Sequence, residues 1–222
     1  MMIGAVEGVI FDMDNTVLRS RIDFAAMKAA VAAYLARIGS LPVNVIVQEH
    51  TTATLLALAA AQAGLTPEGY EGAMQICAEH EQAGMIDADL EDGAVELLEA
   101  LQRRGLRLVI VTNNAHAAAV EALERTGIAP YFELVVGREQ MTAMKPHPSG
   151  YQAAKAFFAD IPEQGWISVG DSWIDARAAC EANVPFVHYG ATTEALDSRG
   201  IPYAGRIGQL RELLGFVEGR EG

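Results

Sequence analysis

The feature that most constrains the fold is a mainly apolar run at residues 6–11 that ends on Asp12 and Asp14. Such a run is typical of a strand buried on both faces of a parallel sheet. The two aspartates would then lie just beyond the carboxyl end of the strand, where open α/β sheets bind ligands. Two carboxylates this close repel each other unless one is protonated or a cation lies between them. The pair therefore favours a divalent-metal site, with magnesium suggested by the oxygen ligands, over an ordinary polar turn.

Downstream of residue 92, strand-like and helix-like patterns alternate along the chain. The apolar runs that predict strands are residues 106–111, 134–136, 166–169 and a run that begins at 186–187. Helical patterns are found at residues 95–104, 117–126, 148–158, 174–182 and 207–216. This alternation implies right-handed crossovers between parallel strands. We therefore predict an α/β fold with a Rossmann-like parallel sheet core and helices on both faces.

The segment between the first strand and this alternating region is predicted to be helical. Asp23 can cap a helix that ends at Gly39, residues 43–62 are rich in alanine and leucine, and Thr66 can cap a third helix to about Ala83. We predict two domains on this basis. Residues 1–18 and 88–222 form the core, and residues 19–87 form an all-helical insert over the strand ends.

Composition limits the kinds of partner. The chain of 222 residues has 16 Lys and Arg against 29 Asp and Glu, a net charge of −13. Such an acidic chain is a poor general binder of nucleic acid or of an anionic membrane. Its two cysteines lie in separate helical patterns, and no signal peptide or membrane span is recognised. We expect a cytoplasmic protein with a small-molecule partner, and the oligomeric state stays open.

Polar groups follow several predicted strands and would meet at one edge of the sheet. They form four sets: Asp12 with Asp14, Thr112 with Asn113, Lys145 before Pro146, and Asp171 with Asp175. Each set has an ordinary explanation, such as a helix cap, a solvated loop lysine or acids near a helix N-terminus. Their common position at the carboxyl edge instead predicts a single site.

These four sets, in this order, resemble the four motifs of the haloacid dehalogenase superfamily. The insert after the first motif is similar to the C1 cap of phosphoglycolate phosphatase-like members of that superfamily. Asn15 occupies a position where glycine is common in the family. Because asparagine tolerates left-handed turns, this difference does not weaken the resemblance.

The resemblance implies a chemical role for five residues. Asp12 would attack phosphorus and form an aspartyl-phosphate. Asp14 would protonate the leaving oxygen and then take a proton from the hydrolytic water. Thr112 and the Asn113 amide would bind the phosphoryl oxygens, and Lys145 would neutralise the charge shared by the phosphoryl group and Asp12.

The resemblance also implies a magnesium site. Asp12, the backbone carbonyl of Asp14, and Asp171 would hold Mg²⁺, with Asp175 as a further ligand or as support for the others. The implied function is therefore a magnesium-dependent phosphatase that acts on a small phosphorylated metabolite.

Four other functions can be compared with this one. A dehalogenase lacks the second aspartate, so Asp14 argues against it. A phosphonatase needs a cap lysine for a Schiff base, and the insert has only Lys28, in a helix. A phosphomutase of the β-phosphoglucomutase type keeps the same motifs and stays open. A catalytically silent phosphate- or metal-binding module is the remaining alternative, although it would be marked by loss of Asp12 or Asp14.

The charges of the insert bear on the substrate class. Lys and Arg are absent from residues 38–102, which leaves Arg19, Arg21, Lys28 and Arg37 as the cations of the insert. A bisphosphate would require more positive charge, so we expect a small leaving group that is neutral or singly charged. Thr16, Arg19 and Arg21 are close enough in sequence to the catalytic loop to contact such a substrate. The alternative for both arginines is a solvated hinge residue.

Overall fold

The computed structural model describes residues 5–42, 44–61 and 64–218, which divide into two compact units. One unit runs up to Ser20 and resumes at Ala88, and the other is Arg21–Asp87. None of the helices in the described ranges is long and apolar enough to cross a membrane.

The first unit is built on a parallel sheet. In chain order the strands of this unit are β1 (Gly8–Phe11), β2 (Leu18–Arg19), β3 (Asp89–Leu90), β4 (Arg107–Val111), β5 (Leu134–Val136), β6 (Trp166–Gly170), β7 (Phe186–Tyr189) and β8 (Gly205–Ile207). Six of these described strands form one sheet in the order β5-β4-β1-β6-β7-β8, with every pair parallel. Strand order reverses beside β1, and such switch points form ligand crevices.

The helices of the described residues cover this sheet or form the second unit. In chain order they are α1 (Phe24–Arg37), α2 (Thr52–Ala61), α3 (Pro67–Met85), α4 (Ala94–Arg103), α5 (His116–Arg125), α6 (Ser149–Phe157), α7 (Trp173–Glu181), α8 (Glu194–Asp197) and α9 (Leu214–Val217). All four residues of β1 are buried, as predicted for a strand covered on both faces. Ile10 of β1 belongs to a buried cluster with Tyr151 of α6 and Ala176 of α7.

The second unit contains α1, α2 and α3, and two predicted helix caps are confirmed in it. The Asp23 side chain accepts a hydrogen bond of 2.8 Å from the Ala26 amide, and Thr66 Oγ1 accepts one of 3.1 Å from the Gly69 amide. The helix predicted over residues 43–62 is shorter, because α2 begins only at Thr52 after a 3₁₀ turn at Val47–Glu49. Val43 and Gln62 themselves lie outside the described residues.

The last helix predicted over residues 207–216 is confirmed only from Leu210 onward. Ile207 instead ends β8, which pairs with β7, and a 3₁₀ turn at Leu210–Leu213 leads into the short α9. A strand of three residues is too short for a periodicity to appear, so β8 is recognised only by its pairing with β7. For the same reason the two-residue strands β2 and β3 were not foreseen, and Arg19 lies in β2 rather than in a helical segment.

Candidate active site

Three adjacent strands end at the same level and bring their polar residues together. Phe11 of β1 lies beside Ile110 of β4 on one side and beside Val169 of β6 on the other. Asp12 therefore follows β1 at the centre, with Thr112 after β4 on one side and Asp171 after β6 on the other. The arrangement is the carboxyl-edge cluster that the sequence predicts.

A tight turn after β1 brings Thr16 back to Asp12. The Met13 carbonyl accepts hydrogen bonds of 3.0 Å from the amides of both Val17 and Leu18. Asn15 takes a left-handed backbone conformation with φ of 54°, which asparagine tolerates. Thr16 is fully buried, and its hydroxyl donates a 3.2 Å hydrogen bond to Asp12 Oδ2. The hydroxyl of Thr16 is thus used inside the protein to hold the carboxylate, and its contact with a substrate stays a prediction.

Lys145 is a buried lysine that joins two carboxylates. Its Nζ lies 2.6 Å from Asp12 Oδ1 and 2.6 Å from Asp175 Oδ1, and it donates a 2.7 Å hydrogen bond to the Val111 carbonyl. Asp12 and the Val111 carbonyl accept hydrogen bonds from the ammonium, and Asp175 is a second ion-pair partner. Burial alone would lower the pKa of Lys145, but the charges of Asp12 and Asp175 outweigh burial and raise it. The alternative of a solvated loop lysine is therefore wrong.

Asn113 holds the backbone of Lys145 in place. Its Nδ2 donates a 2.9 Å hydrogen bond to the Lys145 carbonyl, and its Oδ1 accepts a 2.8 Å bond from the Lys145 amide. The side chain is therefore engaged on both polar atoms, so a contact of Asn113 with phosphate would come from its main-chain amide. Thr112 is buried beside it, and its Oγ1 accepts a 3.2 Å bond from the Asn114 amide.

Asn114 is a site residue that the sequence did not single out. Its Nδ2 donates a 2.6 Å hydrogen bond to Asp14 Oδ2. The only available signal was its place as the third polar residue of the run after β4, which also fits a helix cap. Burial and the neighbouring charge of Asp12 raise the pKa of Asp14 to about 7. Asp14 is thus a carboxyl group that can both release and accept a proton near neutral pH.

Three carboxylates could share a metal ion. Oxygens of Asp12, Asp171 and Asp175 lie within 4.8 Å of one another. Burial and the charge of Asp12 raise the pKa of Asp171 to about 8 and the pKa of Asp175 to about 6. With Asp14, four carboxyl groups face the single ammonium of Lys145, so negative charge is in excess. An all-oxygen set with excess negative charge fits a hard divalent cation such as Mg²⁺.

The two acids after β6 differ in their other partners. Asp175 Oδ2 accepts a 3.1 Å hydrogen bond from the Ser172 amide at the start of α7, and its Oδ1 lies against Lys145. Asp175 is therefore tied to the protein through both oxygens, which suits a supporting role. Asp171 lies before the helix and is less buried than Asp175, which suits direct contact with a cation.

The two arginines predicted as substrate contacts, Arg19 and Arg21, belong to different units. Arg19 of β2 lies 3.4 Å from Glu91 Oε1 and 3.1 Å from Asp92 Oδ1, so its guanidinium pairs with two acids of its own unit. This pairing supports the alternative of a hinge residue for Arg19. Arg21 is exposed and belongs to the other unit, and its contact with a substrate stays a prediction.

The chain is similar to known hydrolases along most of its length. A model of the haloacid dehalogenase-like hydrolases matches residues 6–183. The chain belongs to this family. A phosphoglycolate phosphatase from Rhodospirillum rubrum is 30% identical over 223 residues, covering 96% of this chain and 92% of that protein. The crystal structure of a hydrolase of the same superfamily, subfamily IA, from Geobacter sulfurreducens has a TM-score of 0.63 and 24% identity, covering 96% of this chain and all of that chain.

Other relatives match over a shorter length. A phosphoglycolate phosphatase from Rhodobacter capsulatus is 30% identical over 130 residues, which is 59% of this chain and 58% of that enzyme. The structural neighbour supports the fold alone. Together the matches confirm the predicted family, the α/β fold class with its inserted cap, and the enzyme class, a phosphoric monoester hydrolase of the haloacid dehalogenase type.

Proposed function

We propose that this hydrolase is a magnesium-dependent phosphatase that acts on a small phosphomonoester through an aspartyl-phosphate on Asp12. The observation that carries the proposal is the buried contact of Lys145 with both Asp12 and Asp175. An ammonium at this distance offsets the negative charge of the carboxylate that would act as the nucleophile. Thr16 holds the other oxygen of the same carboxylate and limits its rotation.

The proposed first step transfers the phosphoryl group to Asp12. An oxygen of Asp12 forms a bond to phosphorus while the bond from phosphorus to the ester oxygen breaks. Asp14 gives its proton to the departing oxygen, which leaves as an alcohol. The Thr112 hydroxyl and the Asn113 main-chain amide would hold the phosphoryl oxygens, and Lys145 would offset their charge.

The second step returns the enzyme to its starting state. Asp14, now ionised, takes a proton from water as the water oxygen attacks phosphorus, and the bond between phosphorus and Asp12 breaks. Asp12, Asp171 and the backbone carbonyl of Asp14 are the groups proposed to hold Mg²⁺, with Asp175 in support. When bound, the ion would supply positive charge to the phosphoryl oxygens and reduce the repulsion among the carboxylates.

We propose that the leaving group is small and carries at most one charge, as in phosphoglycolate. Two cations of the second unit are used within it: Lys28 Nζ donates a 2.9 Å hydrogen bond to the His50 carbonyl, and the Arg37 guanidinium lies 5.3 Å from the centre of the Tyr34 ring. These contacts direct both cations to groups of their own unit, so few cations are left to contact a second phosphate. The relatives named as phosphoglycolate phosphatases support the same substrate class. A cytoplasmic location stays a prediction.

Phosphate release from p-nitrophenyl phosphate, with magnesium and with EDTA, tests the reaction and its metal. We expect turnover only with magnesium, and equal rates in both would refute the metal assignment.

The specificity constant for a monophosphate should exceed that for its bisphosphate analogue, and the opposite preference would refute the charge argument. Absence of turnover of any phosphoester by the folded protein would favour a binding module. Formation of an isomeric sugar phosphate instead of free phosphate would favour a phosphomutase.

A further inference from the structure

Asn114 is buried and makes a short contact with the proposed acid–base residue. Its Nδ2 donates a 2.6 Å hydrogen bond to Asp14 Oδ2, slightly shorter than the usual N–H···O range of about 2.7–3.2 Å. The other carboxyl oxygen, Asp14 Oδ1, is buried and accepts no hydrogen bond of good geometry from the described residues, although the nearby Ser20 hydroxyl lowers the pKa of the Asp14 carboxyl. The two oxygens of Asp14 are therefore not equivalent.

The non-equivalence has a chemical consequence. The amide N–H of asparagine can donate a hydrogen bond but cannot accept one. Asp14 Oδ2 accepts the hydrogen bond from this N–H, and a carboxyl oxygen accepts best when it does not itself carry the proton. A proton on Asp14 is therefore favoured on Oδ1. Without a positioned donor, the carboxyl group could rotate and exchange the two oxygens.

The backbone of Asn114 is itself held at two points. Its amide donates a 3.2 Å hydrogen bond to Thr112 Oγ1, and its carbonyl accepts a 3.0 Å bond from the Arg138 amide. The side chain that contacts Asp14 therefore extends from a fixed stretch of chain. The preceding residue, Asn113, faces Lys145 instead, so consecutive asparagines position two different groups of the site.

We propose that Asn114 is a positioning residue that fixes the Asp14 carboxyl group and directs its proton to Oδ1 for transfer to the leaving oxygen. The inference rests on the proposed function, in which Asp14 is the general acid. It adds a residue outside the four sets identified in the sequence, and it assigns separate tasks to the two oxygens of Asp14.

The test compares two substrates whose leaving groups differ in their need for a proton. An alkyl phosphate such as glycerol 3-phosphate or phosphoglycolate leaves as a basic alkoxide unless it is protonated, whereas 2,4-dinitrophenyl phosphate leaves as a stable anion. The kcat/KM value reports the steps up to phosphorylation of Asp12, before the common dephosphorylation step. We expect Asn114→Ala to lower kcat/KM for the alkyl phosphate at least about ten-fold, part of the 10²–10⁴ that general acids contribute, and to lower it less than about three-fold for the dinitrophenyl ester.

Asp14→Asn serves as the reference, and Thr126→Ala serves as the control. Thr126 Oγ1 donates to the Ala122 carbonyl within α5, away from the site, so its loss should leave the ratio of the two kcat/KM values unchanged. This ratio does not depend on the fraction of protein that is folded, because misfolding scales both values alike. Asn114→Leu, which keeps the volume without the donor, provides a second variant.

The outcomes separate the inference from the function on which it rests. An equal loss on both substrates in Asn114→Ala and Asn114→Leu would overturn the positioning role, provided that Asp14→Asn shows the leaving-group dependence. If Asp14→Asn itself shows no such dependence, the acid role of Asp14 in the proposed function fails. A selective loss on the alkyl phosphate in all three variants supports both.

Discussion

At the scale of single residues, Asp12 is the group on which turnover depends. We predict that Asp12→Asn lowers turnover by at least about two decades, because an amide cannot form the covalent intermediate. Lys145 keeps two partners in this variant, Asp175 and the Val111 carbonyl, so the fold should persist. Steady-state rates and thermal melting measure the two effects. Activity above about one per cent of wild type would mean that Asp12 is not the nucleophile.

Lys145 also allows a prediction about stability. Lys145→Met leaves the buried carboxylates of Asp12 and Asp175 without their cation, and removal of one partner from a buried ion pair costs about 3–5 kcal/mol. Lys155→Met is the matched control. Its Nζ pairs at 2.7 Å with the exposed Glu163 and donates a 3.0 Å hydrogen bond to the Ala182 carbonyl. We expect a loss of about 1 kcal/mol or less from the exposed pair and of about 1 kcal/mol from the hydrogen bond. Urea denaturation of both variants in EDTA gives the comparison, and similar losses would contradict the buried charge network.

At the scale of elements, β2 precedes the point where the chain leaves the first unit, and β3 follows the point where it returns. Glu91, which follows β3, contacts Val17, Tyr189 and Arg19. Its amide donates a 3.0 Å bond to the Val17 carbonyl, while its carboxylate accepts a 3.1 Å bond from Tyr189 Oη and pairs with Arg19. We predict that Glu91→Ala speeds hydrogen exchange at the amides of β2 and β3 about five-fold, the effect of losing about 1 kcal/mol.

Glu99→Ala is the control for this change. It removes an exposed pair with Arg103 inside α4 and should leave exchange in β2 and β3 unaltered. Identical exchange in the two variants would show that the Glu91 side chain does not hold the connection. The assignment of residues 19–87 as a separate cap domain that moves as a lid stays a proposal.

At the scale of the whole molecule, metal and pH are expected to act together on stability. The folded-state pKa values of Asp14, Asp171 and Asp175 are about 7, 8 and 6, above the ordinary value of 3.8. Carboxyl groups raised in this way contribute stability that is present below their unfolded pKa and is lost as pH rises through the folded values. The metal-free protein should therefore lose stability between about pH 5 and pH 8.

Magnesium competes with protons for these carboxyl groups, so we predict that it raises the melting temperature more at pH 8 than at pH 5.5. Melting curves with magnesium chloride and with EDTA, matched for ionic strength with sodium chloride, measure the difference. Asp171→Asn should reduce the magnesium effect at pH 8. A magnesium effect that is the same at both pH values would argue against binding at this cluster.

Local pattern was enough to predict the parts of this protein that depend on neighbouring residues. The buried β1 and the caps at Asp23 and Thr66 each follow from a few adjacent side chains, and each is confirmed. The succession of strands and helices predicted the parallel sheet, and with it the edge where the polar groups meet. β8 was missed because three residues are too few for a period to appear.

Only the tertiary structure decided which atoms meet at that edge. Lys145 lies 133 positions from Asp12 in sequence, and Asn114 lies 100 positions from Asp14. The loops that carry these residues have no periodicity, so nothing local indicates where a side chain points. The sequence by itself therefore indicated four sets of polar groups at this edge, whereas packing of β4, β1 and β6 added Asn114, which faces Asp14, and turned Asn113 towards Lys145. The physical reason is that the orientation of a buried polar side chain is set by its hydrogen-bond partners, and here those partners come from distant segments of the chain.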